Sequence, residues 1–582
     1  MKNRKILSLL ALLSISFAVY ANNDRGIEFY RAGMFEASKN FFLQQKSDNP
    51  DEQAVAAYYL GLLYANEQNI AAAAAEFQKA VDIAPKSPYG YIGKGRLELK
   101  NNVKEAEKLF KQAESLGKKN ADVQVQIADA YFANNMIAKA TSTLEKAKKV
   151  NSSFPDIYLL EGEMALKQTI NSETINEAVT KFNDAFYFSK DQNKTALLKL
   201  ARMYRLQNRQ DLALNKLNEA IALDKDYLPA YIMIGDIKLS QAKNNEAIAA
   251  YEKVIAACEP PIEVFENYAQ ALYFDKQYKK SLEEIQKILL QKNDNALLHR
   301  LEAYNHYELG NHVEGLIKME KFLSSIPKEK QIYLDFITLG RFYTKQKNYE
   351  KAMESFNKAI AIDSEKPEIY KEMALAQSSF ELQNYEDAIK NFDKYFELEL
   401  KEKIVLSDLD SYAKICRKGA GEIIGAYEIY IKEKAEKKKT TQTPEEIAAQ
   451  KVLFDKYIER GVQAYTDILE LDMEVSPVWL KIGYAGRADL YTLVDVYGRV
   501  DAPDKIIGAA KPYHEEAIEF MLNNNTDGRF NRDIVNSYTY LAQYYMINKN
   551  TKTALEFLDK VLAIDPVNET AIYYSKELKR KK

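Results

Sequence analysis

YYLGLLYANEQNIAAAAAEFQKAVDIAP, from Tyr58 to Pro85, reads as two short amphipathic helices joined by a tight turn. The same hairpin returns as TLGRFYTKQKNYEKAMESFNKAIAID (Thr338 to Asp363) and as YLAQYYMINKNTKTALEFLDKVLAIDP (Tyr540 to Pro566). In each copy a small residue of the first helix (Gly61, Gly340, Ala542) is followed twelve residues later by an alanine (Ala73, Ala352, Ala554). A bulky apolar residue comes four further on (Phe77, Phe356, Leu558), and a small or β-branched one three after that (Ala80, Ala359, Val561). Small residues let the two helices approach closely, while apolar residues at i, i+3, i+4 and i+7 bury the other faces.

The spacing holds along most of the chain. Ala201, Gly235, Ala269 and Ala303 occupy the small position at intervals of 34, and Gly340 and Ala376 follow after slightly longer linkers. Asp and Pro near the second helix end (Asp82 to Pro85; Asp565 and Pro566) break the helix before the next hairpin. Looser copies begin at Asp24 to Gln45, with Gly33, Phe35 and Phe42, and at Tyr91 to Ser115. The copy from Ala121 to Val150 is regular, and the next, from Pro155, carries an inserted turn at Thr169 to Thr174.

The pattern resembles the tetratricopeptide repeat. That resemblance implies an all-α chain, a right-handed superhelical solenoid of antiparallel helix hairpins, with about thirteen or fourteen of them. We expect a regular to slightly degenerate array over 22–403 and degenerate hairpins over 404–530. The latter carry a charged insertion at 432–451 and a loop insertion at 491–508. A C-terminal repeat at 531–568 and a basic capping tail at 569–582 close the array. Thr443, Pro444 and Glu446 form a capping-box helix start after the charged run. The loop insertion, with Asp495, Tyr497, Arg499, Asp501, Pro503 and Asp504, is the largest departure from regularity. It is a plain connection or a carrier of specificity.

Members of this family usually bind proteins, with helix A of each hairpin lining a concave face. Mapping that register places Arg202, Arg205, Tyr273, Tyr304, Tyr307, Arg341 and Phe380 near the groove. Arginine and tyrosine suit a peptide or an acidic surface, through forked hydrogen bonds and flat aromatic contact. Chaperone-binding members use a lysine and asparagine clamp. Here the matching positions are Leu198 and Arg202, Ile232 and Asp236, Glu266 and Gln270, Ile337 and Arg341, so capture of a chaperone tail is not expected.

Chemistry is sparse. No phosphate loop, nucleophile elbow or zinc-protease helix occurs, and we expect no enzyme and no cofactor. His299, Glu302 and His306 share one helix face, with His312 in the following turn. About 10.5 Å of helix rise separates His299 from His306, too far for joint ligation of one ion. They read as packing positions with a hydrogen-bonded Glu302–His pair, as does His514.

Lys2, Arg4 and Lys5 precede an apolar run from Ile6 to Val19, with cleavage expected after Ala21. This reads as a signal peptide over residues 1–21 and predicts periplasmic location. Secretion, or peripheral association with a membrane, is the alternative. The balance of 81 basic to 84 acidic side chains argues against nucleic acid as a partner. Cys258 and Cys416 lie several repeats apart, and repeats touching only their neighbours would leave both as thiols. The expected function is a scaffold for protein or peptide partners in the cell envelope. A carbohydrate- or peptidoglycan-binding protein, and a hydrolase within 402–530, are the rival readings.

Overall fold

The computed structural model describes residues 23–167, 169–290, 295–471 and 475–580. The leader at 1–21 lies outside them. The described residues form α-helices and two short 3₁₀ turns, with no strand. They fall into two compact units, Met1–Leu309 and Gly310–Lys582.

In the first unit the pairs are α1 (Asp24–Arg31) with α2 (Phe35–Gln44), α3 (Pro50–Asn66) with α4 (Ile70–Ile83), and α5 (Tyr89–Glu98) with α6 (Val103–Leu116). Next come α7 (Ala121–Ala133) with α8 (Ile137–Val150), α9 (Pro155–Ala165) with α10 (Ser172–Phe188), and α11 (Lys194–Leu206) with α12 (Gln210–Leu223). Then α13 (Leu228–Ser240) pairs with α14 (Asn244–Ala257) and α15 (Ile262–Phe274) with α16 (Tyr278–Leu289), before a last helix, α17 (Ala296–Glu308).

The second unit opens with α18 (His312–Ser325). It continues with α19 (Tyr333–Lys345) and α20 (Tyr349–Ile362), then α21 (Pro367–Gln377) and α22 (Tyr385–Leu398). Longer helices follow: α23 (Leu406–Ala435), α24 (Pro444–Leu469) and α25 (Pro477–Arg499). α26 (Lys511–Asn524), α27 (Asn531–Ile547), α28 (Thr551–Ile564) and the capping helix α29 (Glu569–Arg580) complete it.

One packing rule builds most hairpins. Where helix A has glycine, helix B supplies an aromatic ring. A Cβ at Gly61, Gly162, Gly235 or Gly340 would lie 2.3–2.5 Å from Phe77, Phe182, Tyr251 or Phe356. Where helix A has alanine (Ala128, Ala201, Ala269, Ala542), the buried partner position holds the smaller Leu144, Leu217, Ile285 or Leu558. Volume is thus conserved across each contact, as dense cores require. Ala376, with Phe392 at the partner position, is the exception. Turns are equally regular. Gln68, Lys347, Gln383 and Lys549 take positive φ, and the next residue (Asn69, Asn348, Asn384, Asn550) caps helix B with its side chain.

The expected loop insertion differs from expectation, and the charged run keeps its expected helix start. Residues 491–499 are helical, the last turns of α25, so only the residues between Arg499 and Lys511 connect. Residues 432–435 continue α23, and Thr443 starts α24 with the expected capping box, Glu446 N–H to Thr443 Oγ1 at 3.2 Å and Thr443 N–H to Glu446 Oε2 at 2.7 Å. The lengthened helices share an apolar stripe that Tyr497, within the surplus of α25, joins. Ile423, Ile424, Tyr430 and Phe454 are buried, and Tyr497 lies against Phe454 with ring centroids 4.6 Å apart.

Candidate partner-binding surface

Helix A spends its small-residue side on helix B, which leaves the opposite side to meet the next helix A. Charges there pair from repeat to repeat. In the first unit Arg96 meets Asp129 at 2.5 Å, Lys199 meets Glu163, and Arg205 meets Asp236 at 3.4 Å. In the second, Arg341 meets Glu372 at 2.7 Å, Lys371 meets Asp408 at 2.5 Å, and Lys481 meets Asp533 at 3.1 Å. Asp236 is held further by Tyr251 (2.9 Å) and Asn267 (3.0 Å). The result is a charge-balanced ladder along each stack of A helices.

The residues expected at the groove fall on both units. On α11, Arg202 is exposed and Arg205 is 46% exposed beside Asp236. Tyr273 and Tyr307 are half-buried, and the Tyr273 ring lies 6.1 Å from Tyr304 and 5.5 Å from Tyr278. Tyr304 itself is 5% exposed, so it is packing and offers no surface. Arg341 is half-buried against Glu372. Phe380 is not on helix A: α21 ends at Gln377, and Phe380 stands in the following turn, 83% exposed.

The first hairpin stacks on α3, Phe42 against Tyr59, and also reaches across the first unit to distant repeats. Arg31 donates to both carboxylate oxygens of Asp156, at the start of α9, at 2.5 and 3.3 Å. Glu28 accepts from Lys194, the first residue of α11, at 2.9 Å, and Lys194 also holds Asp224 at 2.7 Å. Burial pushes the Glu28 carboxyl up despite that ammonium group. Phe29, Met34 and Ala37 bury themselves with Leu228 and Val254, and the Tyr30 ring meets Tyr59 edge-on at 5.4 Å. The expectation that repeats touch only neighbours therefore fails here. A bidentate pair joins residues 125 positions apart, and no periodicity in the sequence announces it.

Among the described residues no group of three or more His, Cys, Asp or Glu side chains could hold a metal ion. His299 lies 3.5 Å from Glu302. Cys258 and Cys416 are free thiols, the latter buried. Burial holds the His514 imidazole down at about 4. Its Nε2 lies 2.8 Å from Thr492 and its Nδ1 3.0 Å from Ser537, with its ring stacked on Tyr540. Asp495, from the expected loop, is 2% exposed and accepts from the N–H groups of Gly508, Ala509 and Ala510 at the start of α26. It is a helix cap delivered from the preceding helix. No helix of the described residues is long and apolar enough to cross a membrane.

Three segments match family models: residues 23–88 and 228–259 the tetratricopeptide repeat, and residues 340–379 the TPR repeat. Two of the matched segments lie in the first unit and one in the second. No curated protein matches it. Among solved structures it is similar to the C-terminal part of a TPR repeat-containing protein from Cytophaga hutchinsonii, with 19% identity over 53% of this chain and 98% of that one and a TM-score of 0.38. A tetratricopeptide repeat protein from Parabacteroides merdae shows 16% identity over 45% of this chain and 100% of its own, at a TM-score of 0.30. The APC/C hetero-tetramer Cut9–Hcn1 shows 12% identity over 98% of both chains, also at 0.30.

Proposed function

We propose that this chain is an exported, non-catalytic scaffold that holds protein partners in the cell envelope. The observation that supports this reading is the A-helix face itself. It is polar, charge-balanced and continuous from hairpin to hairpin within each unit. Rigid rungs of this kind preform a recognition surface, so little ordering is needed when a partner arrives. Arg202, exposed and without an ion pair among the described residues, is the side chain of that face in the first unit best placed for first contact. Mature protein used as bait in an envelope extract is expected to retain a specific partner, and Arg202→Ala to lose it. Recovery of the same proteins by both baits would refute the assignment. Export is tested separately, by fusing residues 1–21 to a reporter that is active only outside the cytoplasm. An inactive fusion would remove the envelope from the proposal.

A further inference from the structure

The ladder of A helices in the first unit contains one junction where like charges adjoin. Arg96 of α5 neutralises Asp129 of α7, and Lys199 of α11 neutralises Glu163 of α9. The order along the face is therefore cation, carboxylate, carboxylate, cation. Asp129 and Glu163 stand 34 residues apart, one repeat, and among the described residues no cation bridges them. Each pairs through a single oxygen, and their side chains are 34% and 36% exposed. Both line one cavity of about 130 Å³, whose apolar wall is Leu62, Val125, Leu159 and Leu160. Arg31 and Asp156, also in its lining, are spent on each other. Tyr59 lines it too, is 5% exposed, and its hydroxyl has no hydrogen-bond partner among the described residues. Burial pushes that hydroxyl up, so it keeps its proton and offers a lone pair. An enclosed hydroxyl of this kind calls for a partner from outside the chain.

We propose that this cavity is a socket for a lysine side chain of a bound protein partner, its ammonium group between Asp129 and Glu163 and its stem against the leucine and valine wall. Neighbouring carboxylates repel, and a cation between them relieves both. An ammonium group has three donors, and the spare oxygens of Asp129 and Glu163 with the Tyr59 hydroxyl supply three acceptors. Lysine lays its methylenes along apolar surface while its head stays among polar groups. A cavity of about 150 Å³ holds a benzene ring, so this one has room for a short alkyl stem and none for peptide backbone. A metal ion fits poorly. The wall is apolar, and among the described residues no group of three or more His, Cys, Asp or Glu side chains could hold one. An anion would meet the two carboxylates directly.

The inference rests on the A-helix face being a partner surface, yet its test is independent of the capture experiment. The mature full-length chain is titrated with pentylammonium chloride at low ionic strength, and binding is followed by NMR of the ligand. Saturable binding is expected, roughly tenfold or more tighter than that of 1-pentanol, which keeps the stem and lacks the charge. Asp129→Asn with Glu163→Gln should weaken it by roughly tenfold or more. If that variant fails to fold by circular dichroism, Tyr59→Phe reads the same site. It removes a hydroxyl that pairs with nothing in the chain, so melting should not change while pentylammonium affinity falls by roughly threefold. Acetyl-Gly-Lys-Gly-amide should displace pentylammonium, and the same peptide with norleucine in place of lysine should not. Unsaturable binding, equal affinity for pentanol, indifference to the variants, or displacement by magnesium as readily as by the lysine peptide would overturn the proposal. Pentylammonium that binds but resists the lysine peptide would also overturn it, and would make the cavity a site for small free amines. An empty socket would leave partner capture through Arg202 unaffected, and failed capture would leave this titration standing.

Discussion

Gly93→Ala is the most incisive test of how these hairpins are stacked. Phe77 of α4 is fully buried and gripped from two sides. A Cβ at Gly61 of α3 would lie 2.4 Å from its Cε1, and one at Gly93 of α5 only 2.1 Å from its Cδ1. Carbon atoms in contact prefer about 3.5–4.0 Å, so the added methyl overlaps the ring by roughly 1.5 Å. The ring cannot retreat, because the opposite wall is Gly61 and the helix that carries it. Overpacking of this kind costs about 1–3 kcal/mol, here at the upper end. The better helix propensity of alanine returns about 1 kcal/mol, so a net loss of about 1–2 kcal/mol is expected. Because nearest-neighbour stacks open locally, the assay is hydrogen exchange of peptides from α3 to α6, with α27 and α28 as an internal reference. Those peptides should exchange roughly 5–30 times faster. Phe77→Leu supplies the missing space, so the double variant should be less damaged than the sum of the singles by about 1 kcal/mol or more. Simple addition of the two effects, or unchanged exchange in Gly93→Ala, would refute the clamp.

The remaining predictions concern single groups. His514 is neutral in the folded chain down to about 4, while the unfolded chain takes a proton near 6.5. Stability should therefore fall as pH drops through that window, by about 2–3 kcal/mol at pH 4.5, beyond what other groups cause. Guanidine melts followed by Trp479 fluorescence should show that extra loss disappear in His514→Gln, and an equal loss in both chains would contradict the assignment. Phe380→Ala should leave thermal stability within about 0.5 kcal/mol of the parent, since the ring is exposed; a larger loss by calorimetry would give it a structural role. Burial pushes the Cys258 thiol up to about 11 and the Cys416 thiol further. Alkylation at pH 8 should label Cys258 on the order of 100-fold more slowly than a free thiol and Cys416 only on unfolding. Equal rates at the two sites would contradict the burial.

The hairpins were legible because their signal is local. A small residue, an alanine and a ring at fixed offsets determine which faces pack, and Thr443 with Glu446 states a helix start in four residues. What the sequence concealed is non-local or depends on length. Residues 491–499 look like a loop insertion because they exceed the repeat, yet Tyr497 packs on Phe454 and keeps them helical. Tyr304 looks like a groove tyrosine by register, but its neighbours cover it. Phe380 follows the same register past the end of α21, where the backbone has already turned. Arg31 and Asp156 are ordinary surface charges in sequence, and only the curl of the first unit brings them together.

The two kinds of ion pair on the inner face also differ in what a partner must do to break them. Arg205 with Asp236 is a half-exposed pair, and such pairs contribute about 0–1 kcal/mol. A partner carboxylate can therefore recruit Arg205 at little cost, which suits a surface that adapts to its ligand. Arg31 with Asp156 is more enclosed, the side chains 28% and 16% exposed, and lies over an apolar floor. Removing one member of an enclosed pair costs several kcal/mol, because the other charge stays behind without a partner or water. Opening the Arg31–Asp156 contact therefore leaves a charge stranded on each side, whereas the Arg205 rung can exchange partners freely.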